Sequence, residues 1–266
     1  MTPEEDQQLR ALGDALAVVA GWEQLDGQPS GVWKVETGSD LAGDDAAIHP
    51  YPVSSAARTA ISAAVSHAGC LRDSLFLWTR PEHVTARLHI YGQLTLVRGA
   101  LENASRAAWL LAPDDRATRA LRRLQQEYLE ARELLSVREI IGSPSARTMS
   151  TRLDELAVLA RSAGADAAQV KKGPGYREIV ETAGAQVPSA PWTAVVIWKA
   201  CSAIAHGDMR GMAAYLTTET IGHAAPGILL NRVTANIQLT VAGTMAALAT
   251  TRTALDLYAR RARRPG

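Results

Sequence analysis

An all-α fold, a multi-helix bundle with long helices and a long N-terminal loop, is what the sequence predicts. Three observations carry that prediction. Apolar residues recur at helical spacing through several long stretches. Ala and Leu are abundant, Phe occurs once, at Phe76, and alternating Val/Ile/Thr/Tyr runs are scarce. No pattern of strands alternating with helices is present, which leaves helix packed on helix.

The first helix opens on Thr2-Pro3-Glu4-Glu5: a hydroxyl cap, Pro at the first helical position, then acids over the positive end of the dipole. Leu9, Leu12, Leu16 and Val19 carry its apolar face, and it is expected to run to about Leu25. Residues 26–53 are rich in Gly, Asp, Ser and Pro and read as a long loop, with a short extended piece at Val32–Val35. A loop of that length implies a lid or a partner contact. Residues 1–53 are therefore expected to be a helix and loop appended to a single bundle domain of residues 54–266.

The second helix is expected from Ser54 to Thr79, with Ala60, Ala64, His67 and Leu71 in phase and Pro81 ending it. The organising helix follows, over 84–111. Ile90, Val97, Ala100, Ala104, Ala108 and Leu111 form its apolar face; Arg87, Tyr91, Arg98, Glu102, Arg106 and Trp109 form a stripe beside it. Asp114 and Asp115 are placed to open the next helix, to about Ile141. Its apolar face is Leu121, Leu124, Tyr128, Ala131, Leu134 and Leu135, and its interleaved Arg and Glu read as a solvated face. A break at Ile141–Ser145 precedes a shorter helix over 150–162, and Tyr176–Ala183 forms another. A further helix starts at Pro191 and stops at His206-Gly207, since Gly after the last apolar turn ends a helix. A loop, or a loop with a short helix, runs to Pro226. A long last helix is expected over 227–261.

The 266 residues carry 28 Lys plus Arg against 27 Asp plus Glu. That balance argues against broad electrostatic capture of nucleic acid, while leaving room for a local basic patch. Cys70 and Cys201 sit in apolar helical surroundings and read as two buried, reduced thiols. The polar start is no signal peptide, and no segment reads as a membrane span, so a soluble cytoplasmic protein is expected. Neither a metal site, a phosphate loop nor a GxSxG turn is present, and no cofactor is expected.

Candidate chemistry centres on His206, at a helix C-terminus. Lys199, Ser202 and Trp198 share its side of the helix. A His, a Lys and a hydroxyl beside an apolar wall can bind a phosphate or move a proton. Arg98 and Glu102 form an i,i+4 pair; exposed, such a pair contributes only about 0.3–0.5 kcal/mol, whereas buried it marks a site or a register device. Tyr91, Trp109 and Trp198 could line a pocket between helices. His67 reads as core. His83 and His89 fall on different helix sides, and Asp44-Asp45 as a lone acidic pair.

Arg98-x3-Glu102 with Trp109-Leu110-Leu111, and then Ser202-x3-His206-Gly207, resembles an arrangement in all-helical bacterial proteins related to the HEPN superfamily. The resemblance covers the segments around 84–111 and 191–210. It implies a helical bundle and, in active members, metal-independent RNA cleavage by an Arg-x(4–6)-His motif with a polar or acidic helper. His206 and Glu102 match the histidine and the helper. The arginine has no counterpart at that spacing; Lys199 stands seven residues before His206 and lacks the planar fork that grips phosphate from two sides. The functional expectation is a helical binding or scaffold protein, self-associating as a homodimer, that kept the bundle without the catalysis. The alternative is a ribonuclease using His206 and Glu102, with RNA as partner.

Overall fold

The computed structural model describes residues 2–28, 31–80, 83–143, 147–187 and 191–264. Pro81, expected to end the second helix, and Pro144 and Ser145 of the expected break lie outside the described residues. The chain is mainly helical: α1 (Pro3–Leu16), α2 (Val18–Asp26), α3 (Asp40–Ala47), α4 (Val53–Leu75), α5 (Gly92–Leu111), α6 (Arg116–Ile140), α7 (Met149–Ser162), α8 (Tyr176–Gly184), α9 (Pro191–Ala205), α10 (Met209–Tyr215) and α11 (Ile237–Ala262). Two antiparallel ribbons interrupt it, β1 (Phe76–Arg80) with β2 (His83–Ala86), and β3 (Thr217–Ala225) with β4 (Ile228–Thr234). No helix of the described residues is long and apolar enough to cross a membrane.

Helix α5 is the hub. It packs against α4 and α11 most extensively and also against α8, α9 and α6. Val97, Ala100, Ala104, Ala108 and Leu111 are fully buried on it, as its period requires. The expected start at residue 84 is corrected, however. Residues 83–86 pair instead with β1, in the register Phe76↔Ala86, Leu77↔Thr85 and Trp78↔Val84. The buried Gln93 then holds the connection open: its amide donates to the carbonyls of Ser74 and Arg87, and its oxygen accepts from His89 N–H. Ladder and side-chain bonds here outweigh a helical propensity that differs little between residues. For the same reason α4 ends at Leu75 rather than Thr79.

The long loop is also corrected. Ser39 caps α3, accepting from Ala42 N–H, and α3 packs on α4, α6 and α11. Val32–Val35 is not a strand. Trp33 is buried there, edge-on to Tyr258 with ring centroids 5.0 Å apart, and donates to the Leu25 carbonyl. Leu9, Leu12, Leu16, Trp22, Trp33 and Leu41 belong to the same apolar cluster as the α4, α5 and α11 cores.

Two further expectations give way. The segment 227–236 is not helical but supplies β4, because Pro226-Gly227, with Gly227 at φ +79°, makes a tight turn after β3. Cys70 is exposed; only Cys201 is buried. Leu134, expected on the apolar face of α6, is exposed, while Arg119 and Arg123, expected on its solvated face, are buried.

Candidate functional site

Helices α5 and α9 pack side by side, and the stripes carrying the candidate residues meet. Glu102 and Arg98 face Trp198 and His206. Arg98 Nε donates to Glu102 Oε1 at 2.8 Å, and Trp198 Nε1 donates to the same oxygen at 2.7 Å. Arg98 Nη1 lies 3.0 Å from His206 Nε2. A guanidinium can only donate, so this contact uses the lone pair of Nε2 and puts the ring proton on Nδ1. Four side chains separated by up to 108 residues thus form one chain: Trp198 fixes Glu102, Glu102 fixes Arg98, and Arg98 meets the imidazole.

The end of α9 places the imidazole. Gly207, at φ +67°, closes a Schellman turn: its N–H donates to the Ile204 carbonyl, and Asp208 N–H donates to that of Ala203. Asp208 then caps α10. A Cβ on Gly211 would stand 2.5 Å from Ala203 Cβ, so only glycine there lets α10 fold back onto α9. Tyr91, at the start of α5, donates its hydroxyl to Met212 Sδ of α10 at 3.6 Å, tying this corner to the hub helix.

Beneath the network the packing is tight. A Cβ on Gly243 of α11 would meet Val97 at 3.0 Å and Ile197 at 3.5 Å. Cys201 lies in this floor. Burial pushes its thiol up to about 12, with the Arg98 charge opposing in part, so it is no nucleophile at neutral pH. Above the floor, Arg98 and Glu102 keep 23% and 16% of their side-chain surface, and His206 is exposed. Ser202 is half-buried between Trp198 and His206; Lys199 is exposed and pairs with none of the described residues.

Trp109 does not join this site. It is buried two turns further along α5, with the Arg122 guanidinium 4.8 Å from its ring centroid. His67 Nδ1–H donates to the Ala63 carbonyl at 2.7 Å, and its ring occupies the space that a side chain at Gly99 would need.

A second polar cluster escaped the sequence reading. Asp44 and Arg119 are both buried, joined by two hydrogen bonds of 2.6 and 2.9 Å, and Arg119 also donates to the carbonyls of Pro113 and Asp114. Arg261 of α11 donates to Asp40, Asp114 and the Pro113 carbonyl. The two arginines satisfy carbonyls in the α5–α6 turn that no helix bond reaches. Asp45 accepts from Ser54 N–H and Oγ at the start of α4. The acidic pair is therefore not alone: Asp44 docks α3 onto α6 and Asp45 docks it onto α4, while Asp40 reaches α11.

Comparison with protein-family models, with curated proteins and with solved structures gives no match.

Proposed function

We propose that this chain is a helical binding protein, cytoplasmic and self-associating, that recognises an anionic group, above all a phosphate, at the Arg98–His206 pair. One observation carries the reading. The Arg98 guanidinium is held at Nε by Glu102, itself fixed by Trp198, and at Nη1 by His206, while its Nη2 donates to none of the described residues. A fixed guanidinium with Nη2 still free to donate is suited to an oxyanion. His206 and the exposed Lys199 add donors on the same side.

A second reading, a metal-independent ribonuclease of HEPN type, is favoured by the Arg98–His206 approach. It brings a guanidinium from α5 to the histidine whose own helix lacks one at the family's spacing. In that reading His206 exchanges a proton with the ribose hydroxyl or the leaving oxygen and Arg98 holds the phosphate. Glu102, engaged by two donors, is then a positioning residue.

One experiment tests both. The pure protein is titrated with single-stranded RNA in EDTA, reading anisotropy for binding and a gel for cleavage. Losing a charged hydrogen bond of about 1.5–3 kcal/mol predicts ten- to hundredfold weaker binding for Arg98→Ala, and a similar loss for Arg98→Lys. Equal binding by wild type and Arg98→Ala would end the first reading. Intact RNA, or cleavage equal in wild type and His206→Ala, would end the second.

A further inference from the structure

We propose that anion binding at this site takes up a proton on His206: the neutral imidazole occupies Arg98, and the protonated one joins it in holding the anion. This rests on the phosphate reading above and names how that site is regulated. The observation behind it is the 3.0 Å approach of Arg98 Nη1 to His206 Nε2. A guanidinium has only donors, so the contact exists only while Nε2 keeps its lone pair and the ring is neutral. Protonation turns the two partners into two donors and breaks it.

The anion requires that change. A phosphate oxygen that takes Nη2 and Nη1 together comes alongside the Nε2 lone pair, and acceptor then meets acceptor. With a proton on Nε2 the same nitrogen donates to the anion, and a charge-assisted bond replaces a repulsion. Glu102 keeps Nε in either state, at 2.8 Å, and Trp198 keeps Glu102, so the guanidinium stays in place while its partner changes role. The imidazole has room to turn, since His206 is exposed and the Gly207 turn follows it.

The charges carried by the surrounding elements make the ligand the deciding one. The C-terminal end of α9 and Glu102 of α5 favour a cation at His206; Arg98 of α5 and Lys199 of α9 oppose it. Tyr91 of α5 is turned to Met212. At the start of α10, Asp208 accepts from the Arg210 N–H, and their opposite charges offset one another. His67 of α4 is held at the Ala63 carbonyl over Gly99. Helix α11, whose Gly243 lies against Ile197, has no charged residue before Arg252. Helix α8 meets α5 at Arg106, about two turns beyond Arg98, which puts its Arg177, Glu178 and Glu181 away from the ring. An anion seated between Arg98 and His206 offsets the main opposing charge, so the proton arrives with the ligand. Affinity then rises as pH falls through the histidine range and is lost as pH rises, by at most about tenfold per pH unit for one proton.

The test is the anisotropy of a labelled 2′-O-methyl oligouridylate, which lacks the hydroxyl needed for cleavage, titrated with the full chain in EDTA at constant ionic strength. The series runs from about pH 6 to about pH 8, where histidine changes charge while uracil and the phosphodiester do not. Wild type is expected to bind at least about tenfold tighter at the acid end, and calorimetry in two buffers of different ionisation heat to show about one proton taken up. His206→Gln can still donate but cannot titrate; it is expected to keep the far-UV spectrum and to bind with one affinity throughout. A flat wild-type profile overturns the coupling, and so does the wild-type slope surviving in His206→Gln, which would assign the proton to another group. In either case the phosphate reading stands or falls separately, on Arg98→Ala. Wild type that binds at no pH in the series ends both.

Discussion

Arg98 and Arg119 sit on neighbouring helices, and each is held by a carboxylate, yet their surroundings set them to opposite uses. Arg119 keeps 2% of its surface, and its Nε, Nη1 and Nη2 all donate within the protein, to Asp44 and to the carbonyls of the α5–α6 turn. Arg98 keeps 23%, spends Nε on Glu102 and Nη1 on His206, and leaves Nη2 open. A guanidinium with every donor engaged closes a fold. One with a donor left over is available to a ligand. The difference lies in helix position: Arg119 points into the corner where α3, α5, α6 and α11 meet, whereas Arg98 points along the seam of α5 and α9, which α10 leaves open.

The largest effect should separate the two at once. Arg119→Met leaves the buried Asp44 carboxylate with only the half-exposed Arg116, 3.4 Å away, and is expected to cost about 3 kcal/mol, read by urea unfolding. Replacing both, Asp44→Leu with Arg119→Met, should recover most of that loss, because the penalty comes from the stranded charge. A small effect of the single change would mean water reaches this corner, and the contrast with Arg98 would collapse. Binding of RNA should follow only the remaining folded fraction.

A smaller effect sharpens the same corner. Asp115 caps α6, accepting from Thr118 N–H, and the hydrogen bonds from the Thr118 backbone and hydroxyl hold its carboxyl below the usual value. A pKa depressed in the folded state means stability that is present above the unfolded value and lost as pH falls through the folded one. The loss should appear as an acid limb of the melting midpoint that Asp115→Asn, still able to accept but unable to titrate, flattens. Asp115→Ala should cost about 1 kcal/mol at neutral pH, the usual loss of a cap. An unchanged acid limb in Asp115→Asn would assign it to other carboxylates.

How much of this was legible in the sequence follows from how far apart the partners lie. Local features were: the capping box at Thr2, the Asp115 cap, the Gly207 stop, and the Arg98–Glu102 spacing are all set within a few residues. The meeting of α5 with α9 was half-legible, since the two polar stripes could be drawn on each helix but not their mutual register. Asp44 was read as a loop residue and Arg119 as a solvated one because their partnership spans 75 residues and charge patterning cannot see across that distance. The β3–β4 hairpin was missed although Pro226-Gly227 marks a turn; its Ile-Leu-Leu run also fits a helix, and only pairing to 217–225 decides between them.

The smallest expected effect on stability bears hardest on the comparison. His206 is exposed at the last turn of α9, and its ring nitrogen meets only the Nη1 edge of Arg98, while Glu102 and Trp198 already fix the guanidinium. His206→Ala should therefore shift unfolding by less than about 0.5 kcal/mol, the range of surface changes. The same substitution should weaken RNA binding by a factor of ten or more, measured on the same preparation. A residue that carries recognition without carrying the fold is what an open site requires. If His206→Ala instead costs stability on the scale of Arg119→Met, then the imidazole is a structural cap, and Arg98, like Arg119, is there to close the bundle.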